Sequence, residues 1–142
     1  MRPALTHIAL HVADLDAMVA FLADYCQLKQ VHARGEAGHR TVWLAEEGRE
    51  TQFVFVLIEG GPRRDQAPTD YSHLGFALDS KEAVDRVAEQ ARAAGCLAWP
   101  AVADDYPVGY YCGVRDPDGR VVEFSYGQPL GPGAPEPQAA EA

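Results

Sequence analysis

Basic residues are scarce in this chain of 142 residues: 12 Lys and Arg stand against 21 Asp and Glu, for a net charge of −9. They form no block, so the electrostatic footprint that DNA or RNA requires is missing. Cysteine is scarce as well. Cys26, Cys96 and Cys112 are odd in number, far apart and without a CxxC pair, which excludes a disulfide framework and a cysteine zinc site. Small buried or half-buried side chains are the expectation for all three. No apolar run approaches the ~20 residues that span a bilayer. Met1-Arg2-Pro3-Ala4 leads straight into a strand-like segment, with no signal-peptide core before it. A cytoplasmic protein without nucleic-acid or membrane partners is expected. What is present, 47% apolar and 23% charged residues, is the balance of an ordinary globular protein. The length allows one domain or two small modules sharing a core.

Organisation comes from an internal echo. Tyr71-Ser72-His73-Leu74-Gly75-Phe76-Ala77-Leu78 repeats the pattern of Leu5-Thr6-His7-Ile8-Ala9-Leu10-His11-Val12 about half a chain length earlier. In both, a His opens a short apolar run, and a helical pattern follows. Asp14 precedes Leu15, Met18, Val19 and Leu22, the i, i+3, i+4, i+7 face of a helix ending near Tyr25–Leu28. Gln30–Arg34 and Arg40–Leu44 read as strands. Thr51–Ile58 is unbroken in apolarity from Phe53 on, which predicts a strand buried on both faces. Gly60-Gly61-Pro62 and Pro68 mark residues 60–70 as a linker. In the second half, Asp79 and Ser80 offer a cap for a helix over Glu82–Ala94, with Gly95 at its left-handed end. Leu97–Val102 and Gly109–Arg115 read as strands, Asp116-Pro117-Asp118-Gly119 as a tight turn, and Arg120–Tyr126 as the closing strand. The expected fold is α+β: a βαβββ module over residues 1–59, a second over 71–126, and a tail, 127–142, too poor in apolar residues to order.

Strand parity selects candidate site residues. Successive strand residues point to opposite faces. Ile8, Leu10 and Val12 suit the helix side of the first strand, leaving His7, Ala9 and His11 on the other face. Leu74, Phe76 and Leu78 suit the helix side of its repeat, leaving His73, Gly75 and Ala77. In the last strand Val122, Phe124 and Tyr126 are the apolar set, against Val121, Glu123 and Ser125. A carboxylate in so apolar a strand must be paired, hydrogen-bonded or metal-bound. A lone strand histidine is more often a hydrogen-bonded core residue, and His11, His32 and His39 are first read that way. Matched positions in a duplicated unit favour His7, His73 and Glu123 as ligands of a divalent metal. Such an N/O set suits Fe(II), Mn(II), Ni(II), Co(II) or Zn(II) and leaves coordination positions open.

These stretches, together with Arg115-Asp116-Pro117-Asp118-Gly119-Arg120-Val121-Val122-Glu123-Phe124, resemble the vicinal oxygen chelate superfamily, which includes glyoxalase I, extradiol dioxygenases, methylmalonyl-CoA epimerase, fosfomycin-resistance thiol transferases and bleomycin-resistance proteins. The resemblance covers residues 5–126. It implies paired βαβββ modules curled into a half-open, cup-shaped barrel, metal ligands at His7, His73 and Glu123, and frequent homodimers. Glyoxalase I and the epimerase have a fourth ligand, Glu or Gln, on the last strand of the first module, where this chain has Val54 or Val56. The transferases hold a phosphonate with Lys and Arg that are not evident here around Trp99-Pro100 or after Tyr126. Extradiol enzymes use two His and one Glu. The resemblance thus implies a metal-dependent enzyme acting on a small substrate with vicinal oxygens, with a slight lean to ring-cleaving dioxygenase chemistry. The alternatives are a glyoxalase-like lyase or thiol transferase, or a metal-free small-molecule (antibiotic) binding protein. His11, Tyr110, Tyr111 and Cys112 are the candidates for lining the substrate pocket.

Overall fold

The computed structural model describes residues 1–135; the end of the tail that was expected to be disordered, 136–142, lies outside the described residues. The chain forms two compact units, one of residues 1–65 with 117–119, the other of residues 66–116 with the chain from Arg120 on.

The first unit runs β1 (His7–Val12), α1 (Leu15–Cys26), β2 (Lys29–Arg34), β3 (Thr41–Ala45) and β4 (Val54–Glu59). Its sheet has the order β1-β4-β3-β2, with β1 parallel to β4 and the other pairs antiparallel. The second unit repeats this with β5 (His73–Ala77), α2 (Lys81–Ala94), β6 (Leu97–Ala103), β7 (Tyr110–Arg115) and β8 (Val121–Tyr126). Its order is β5-β8-β7-β6, again with the first and last strands parallel. The duplicated βαβββ expectation holds. Each sheet is four-stranded and open; neither is a closed barrel.

Local chemistry starts and stops the helices where the sequence placed them. Asp14 Oδ1 accepts from Ala17 N at 3.0 Å, and Ser80 Oγ accepts from Ala83 N at 3.1 Å. Each satisfies one of the amides that a helix start leaves orphaned. Helix α2 ends in left-handed Gly95, φ 76°, as expected; α1 ends in Gln27 at φ 56°, a conformation that glycine adopts with less strain. Leu15, Met18, Phe21 and Leu22 of α1 are buried in the core of the first unit with Leu10, Val12, Leu44 and Leu57. Val84, Ala88 and Ala91 of α2 are buried in that of the second with Cys112, Val114, Val122 and Phe124. Each large apolar side chain buried here contributes ~1.5–3 kcal/mol. Among the described residues no helix is long and apolar enough to cross a membrane.

Strand β4 departs from expectation. Its residues alternate: Phe55 and Leu57 are buried, while Val54 and Val56 are half-buried and Ile58 is 37% exposed. An unbroken apolar run implies apolar surroundings on both sides, but one side here is an open cavity rather than packed protein.

An ion pair ties the end of β4 to α1. Arg40 donates from Nε to Glu59 Oε1 at 3.1 Å and from Nη2 to Glu59 Oε2 at 2.6 Å, and it also reaches both oxygens of Asp16. The Arg40 guanidinium and its backbone amide hold the Glu59 carboxyl down at about 2, against an ordinary 4.5. The folded state therefore favours the ionised carboxylate. Its stabilisation is complete above pH 4.5 and is lost as pH falls from there towards 2. Glu59→Gln is expected to flatten the loss of melting temperature between pH 5 and pH 2.5 relative to wild type. Equal acid sensitivity in both proteins would show that the pair is energetically idle.

Candidate functional site

The site is built on the sheet faces turned away from the helices. In the second unit, β8 is flanked by β5 and β7, and Glu123 is opposite Gly75 on one side and Gly113 on the other. Neither neighbour has a side chain beside the carboxylate. Glu123 is nonetheless 8% exposed. Its Oε2 lies 2.9 Å from His73 Nε2, and its Oε1 accepts from Gln128 Nε2 at 3.2 Å. The buried carboxylate is thus partnered, but by His73 and not by Arg115 or Arg120.

The second nitrogen of His73 is equally informative. Nδ1 lies 2.7 Å from the Tyr71 carbonyl. A carbonyl only accepts, so Nδ1 carries a hydrogen and Nε2 is the nitrogen that faces Glu123. A lone pair and a carboxylate oxygen at this separation repel unless a proton or cation lies between them. Orientation of an imidazole by a backbone carbonyl at its far nitrogen is the arrangement that metal-ligating histidines use. The donor set of this half-site fits a divalent metal.

His7 lies in the first unit, where its Nδ1 is 3.0 Å from Thr6 Oγ1. In the tautomer that donates to the hydroxyl, Nε2 is left with its lone pair. His7 lines an open cavity of about 540 Å³ with Thr6, Ala9, Trp43, Phe53, Val54, Val56 and Ile58, and with Glu50, Thr51 and Gln52. No Lys or Arg is among these lining residues. Strand register also decides between the two valines. His7 pairs with Val54 and Ala9 with Val56, as His73 pairs with Val121 and Gly75 with Glu123. Val56 is therefore the counterpart of Glu123, and the first unit has no ligand there.

The structure places the predicted residues unevenly. It brings His73 and Glu123 together and sets His7 on the cavity of the first unit. Among the described residues no cluster of three or more His, Cys, Asp or Glu is poised for a metal. His11 sits near the end of β1 against Gly60 and Gly61 and is not among the residues that line the cavity, although it pairs with Ile58, which does. Two pocket candidates need correction. Tyr110 turns to α2, where its hydroxyl donates to Asp85; that bond, with burial, pushes the phenol above its usual range. Cys112 is fully buried with its Sγ at Val84 O, and burial pushes its thiol up to about 11. Neither faces the site, and the thiol stays protonated at neutral pH. Tyr111 has the opposite parity, is half-buried and pairs with Ser125, so it shares the face of Glu123.

Trp99 and Gln128 were not anticipated. A Cβ at Gly113 would lie 2.5 Å from the Trp99 indole, so the ring rests on that glycine. Its centroid is 5.4 Å from the His73 ring, edge to face. Gly113 in an otherwise large-residue strand was the available signal for a side chain lying across it. Trp43, on the open face of β3, was legible from the alternation Val42-Trp43-Leu44.

This duplicated fold defines the class, and sequence comparison agrees. A family model of the Glyoxalase/Bleomycin resistance protein/Dioxygenase superfamily matches residues 4–124, and the chain belongs to that superfamily. The uncharacterized protein PA2024 of Pseudomonas aeruginosa is 57% identical over 134 residues, covering 94% of this chain and 96% of that protein. Among solved structures, a possible glyoxalase from Bacillus cereus is 26% identical at a TM-score of 0.64, covering 86% of this chain and 97% of that one. The fosfomycin resistance protein FosX of Listeria monocytogenes shares the fold at 22% identity and a TM-score of 0.69, covering 88% and 94%. A mutant of FosX, 23% identical at a TM-score of 0.66 and covering 88% and 93%, was solved with Mn(II) and 1S,2S-dihydroxypropylphosphonic acid.

Proposed function

We propose that this protein is a divalent-metal-dependent enzyme of the vicinal oxygen chelate type. His7, His73 and Glu123 hold the ion, and the substrate is a small, largely apolar molecule carrying two neighbouring oxygens. The observation that carries this reading is the His73 Nε2–Glu123 Oε2 pair at 2.9 Å with His73 Nδ1 tied to the Tyr71 carbonyl. The metal bound to the FosX mutant supports it, as do the three-ligand count and the softness range of the donors, which suit Fe(II), Mn(II), Co(II), Ni(II) or Zn(II). The bound ion supplies Lewis acidity, which stabilises an enolate or catecholate.

The chain's own residues select the substrate. A wall of Trp43, Phe53, Val54, Val56 and Ile58 favours an aromatic or aliphatic body. The absence of Lys and Arg from that lining leaves a phosphonate without counter-charge. Tyr111 is the candidate for hydrogen-bonding the substrate's polar end. Ring-cleaving dioxygenase chemistry on a catechol fits this lining best. In it one ring C–C bond breaks and both atoms of O₂ enter the product, so no external reductant is required. The working form is a cytoplasmic homodimer, the state common in the superfamily.

The test begins with metal analysis of protein purified without chelator, for wild type and His73→Ala. A stoichiometric transition metal in wild type and little in the variant is the expected outcome. Protein purified anaerobically with Fe(II) is then offered a catechol panel and scored for oxygen uptake. Metal-free wild type that gains no metal on reconstitution would leave a metal-free binding protein as the surviving reading. Metal without oxygen uptake would move the chemistry to lyase or transferase.

A further inference from the structure

Past the end of β8, Gln128 Nε2 donates to Glu123 Oε1 at 3.2 Å, while Glu123 Oε2 faces His73 Nε2 at 2.9 Å. The two oxygens of one carboxylate are thereby made different: a neutral amide donor holds one, and the imidazole faces the other. The residues directly opposite Glu123, Gly75 and Gly113, offer it no side chain, so among the described contacts its carboxylate is held by His73 at one oxygen and Gln128 at the other.

The path of the chain after β8 is set by close approach. A Cβ at Gly131 would lie 2.8 Å from the Ala77 Cβ, and one at Gly133 would lie 2.9 Å from the Tyr126 ring and 3.1 Å from Asp79 Cα. Gly127, Gly131 and Gly133 have φ of 96°, 69° and 75°, values at which any side chain is strained. Glycines therefore let residues 127–133 run tightly against the second unit and bring Gln128 to the carboxylate.

We propose that Gln128 is a positioning residue for Glu123, and that the Gly127–Gly133 segment is a strap that holds it there. The inference rests on the metal-binding reading above. By occupying Oε1, Gln128 keeps Oε2 directed at His73 Nε2, so the two side chains are already placed together before any ion arrives. Hydrogen-bond partners of this kind alter metal affinity by ~10–100-fold when removed.

The test uses the full chain and two variants. Gln128→Met keeps the length of the side chain and removes its donor. Gly131→Val leaves Gln128 and Glu123 intact and forces the strap off Ala77. Affinity for Mn(II) and Co(II) is measured by competition with a chromophoric chelator, and the Co(II) form is also examined by visible absorption. Melting of the metal-free protein is followed alongside. The expected result is a ~10-fold or greater loss of affinity in both variants, with an altered Co(II) band and an unchanged metal-free melting temperature in Gln128→Met. Affinities within twofold of wild type, with an unchanged Co(II) band, overturn the role of Gln128 while leaving the metal site standing. Failure of wild type itself to take up either ion overturns the metal reading, and this inference falls with it.

Discussion

Glu123→Gln is expected to abolish stoichiometric metal uptake while leaving the metal-free protein as stable as wild type, or more so. The network explains both halves. In wild type, His73 Nε2 faces a carboxylate oxygen at 2.9 Å, a contact that needs a proton or cation between the two atoms to be favourable. A glutamine at 123 presents an amide N–H₂ to that nitrogen and keeps a carbonyl oxygen to accept from Gln128 Nε2. Every polar atom is then satisfied without an ion, so nothing buried is left unpaired. The metal loses its charged ligand, and a neutral amide oxygen is a far weaker donor for the proposed ions. Metal quantification and thermal melts of metal-free protein check the two halves separately. Full metal occupancy in Glu123→Gln would refute the ligand assignment. A collapse in metal-free stability would show that the carboxylate itself, and not the ligand role, is what the fold requires.

Much of this fold could be read before any coordinates. Capping by Asp14 and Ser80, the glycine at 95 and the Asp116–Gly119 turn are local chemistry, and local chemistry is written in consecutive residues. In that turn Asp118, only 1% exposed, accepts from Ala13 N at 3.0 Å, a long-range contact that no local pattern announces. Parity placed His73 and Glu123 on one face correctly, because the apolar partners on the other face left little choice. The same rule, applied to β7, separates Tyr110, Cys112 and Val114 on the helix side from Tyr111, Gly113 and Arg115. Counting Tyr110 and Cys112 among pocket residues ignored it. Strand β4 misled for another reason: valine lines a cavity as readily as it packs in a core, so an unbroken apolar run does not say which face is empty. Trp99 and Gln128 lie beyond such rules. One reaches across a neighbouring strand and the other returns from a tail whose composition looks structureless.

Phe124→Ala should cost the second unit ~3–5 kcal/mol, the range for truncating a buried aromatic, out of a total stability of roughly 5–15 kcal/mol. Phe124 is completely buried, the largest side chain so enclosed, and its ring stacks on Phe76 at 6.0 Å. It pairs in register with Phe76 on β5 and with Cys112 on β7, so its loss opens the joint between the strands that carry His73, Glu123 and Tyr111. The melting temperature of the metal-free protein should fall by roughly 10 °C or more. Metal and core are then linked by mass action. An ion that binds only the folded state returns ~2.7 kcal/mol when present at a hundred times its dissociation constant. Phe124→Ala should therefore recover much of its loss on addition of Mn(II) or Co(II), whereas Phe124→Ala combined with Glu123→Gln should recover none. Recovery in the double variant would place the metal elsewhere in the chain. A melting temperature within ~3 °C of wild type for Phe124→Ala would mean that the second sheet does not depend on this ring.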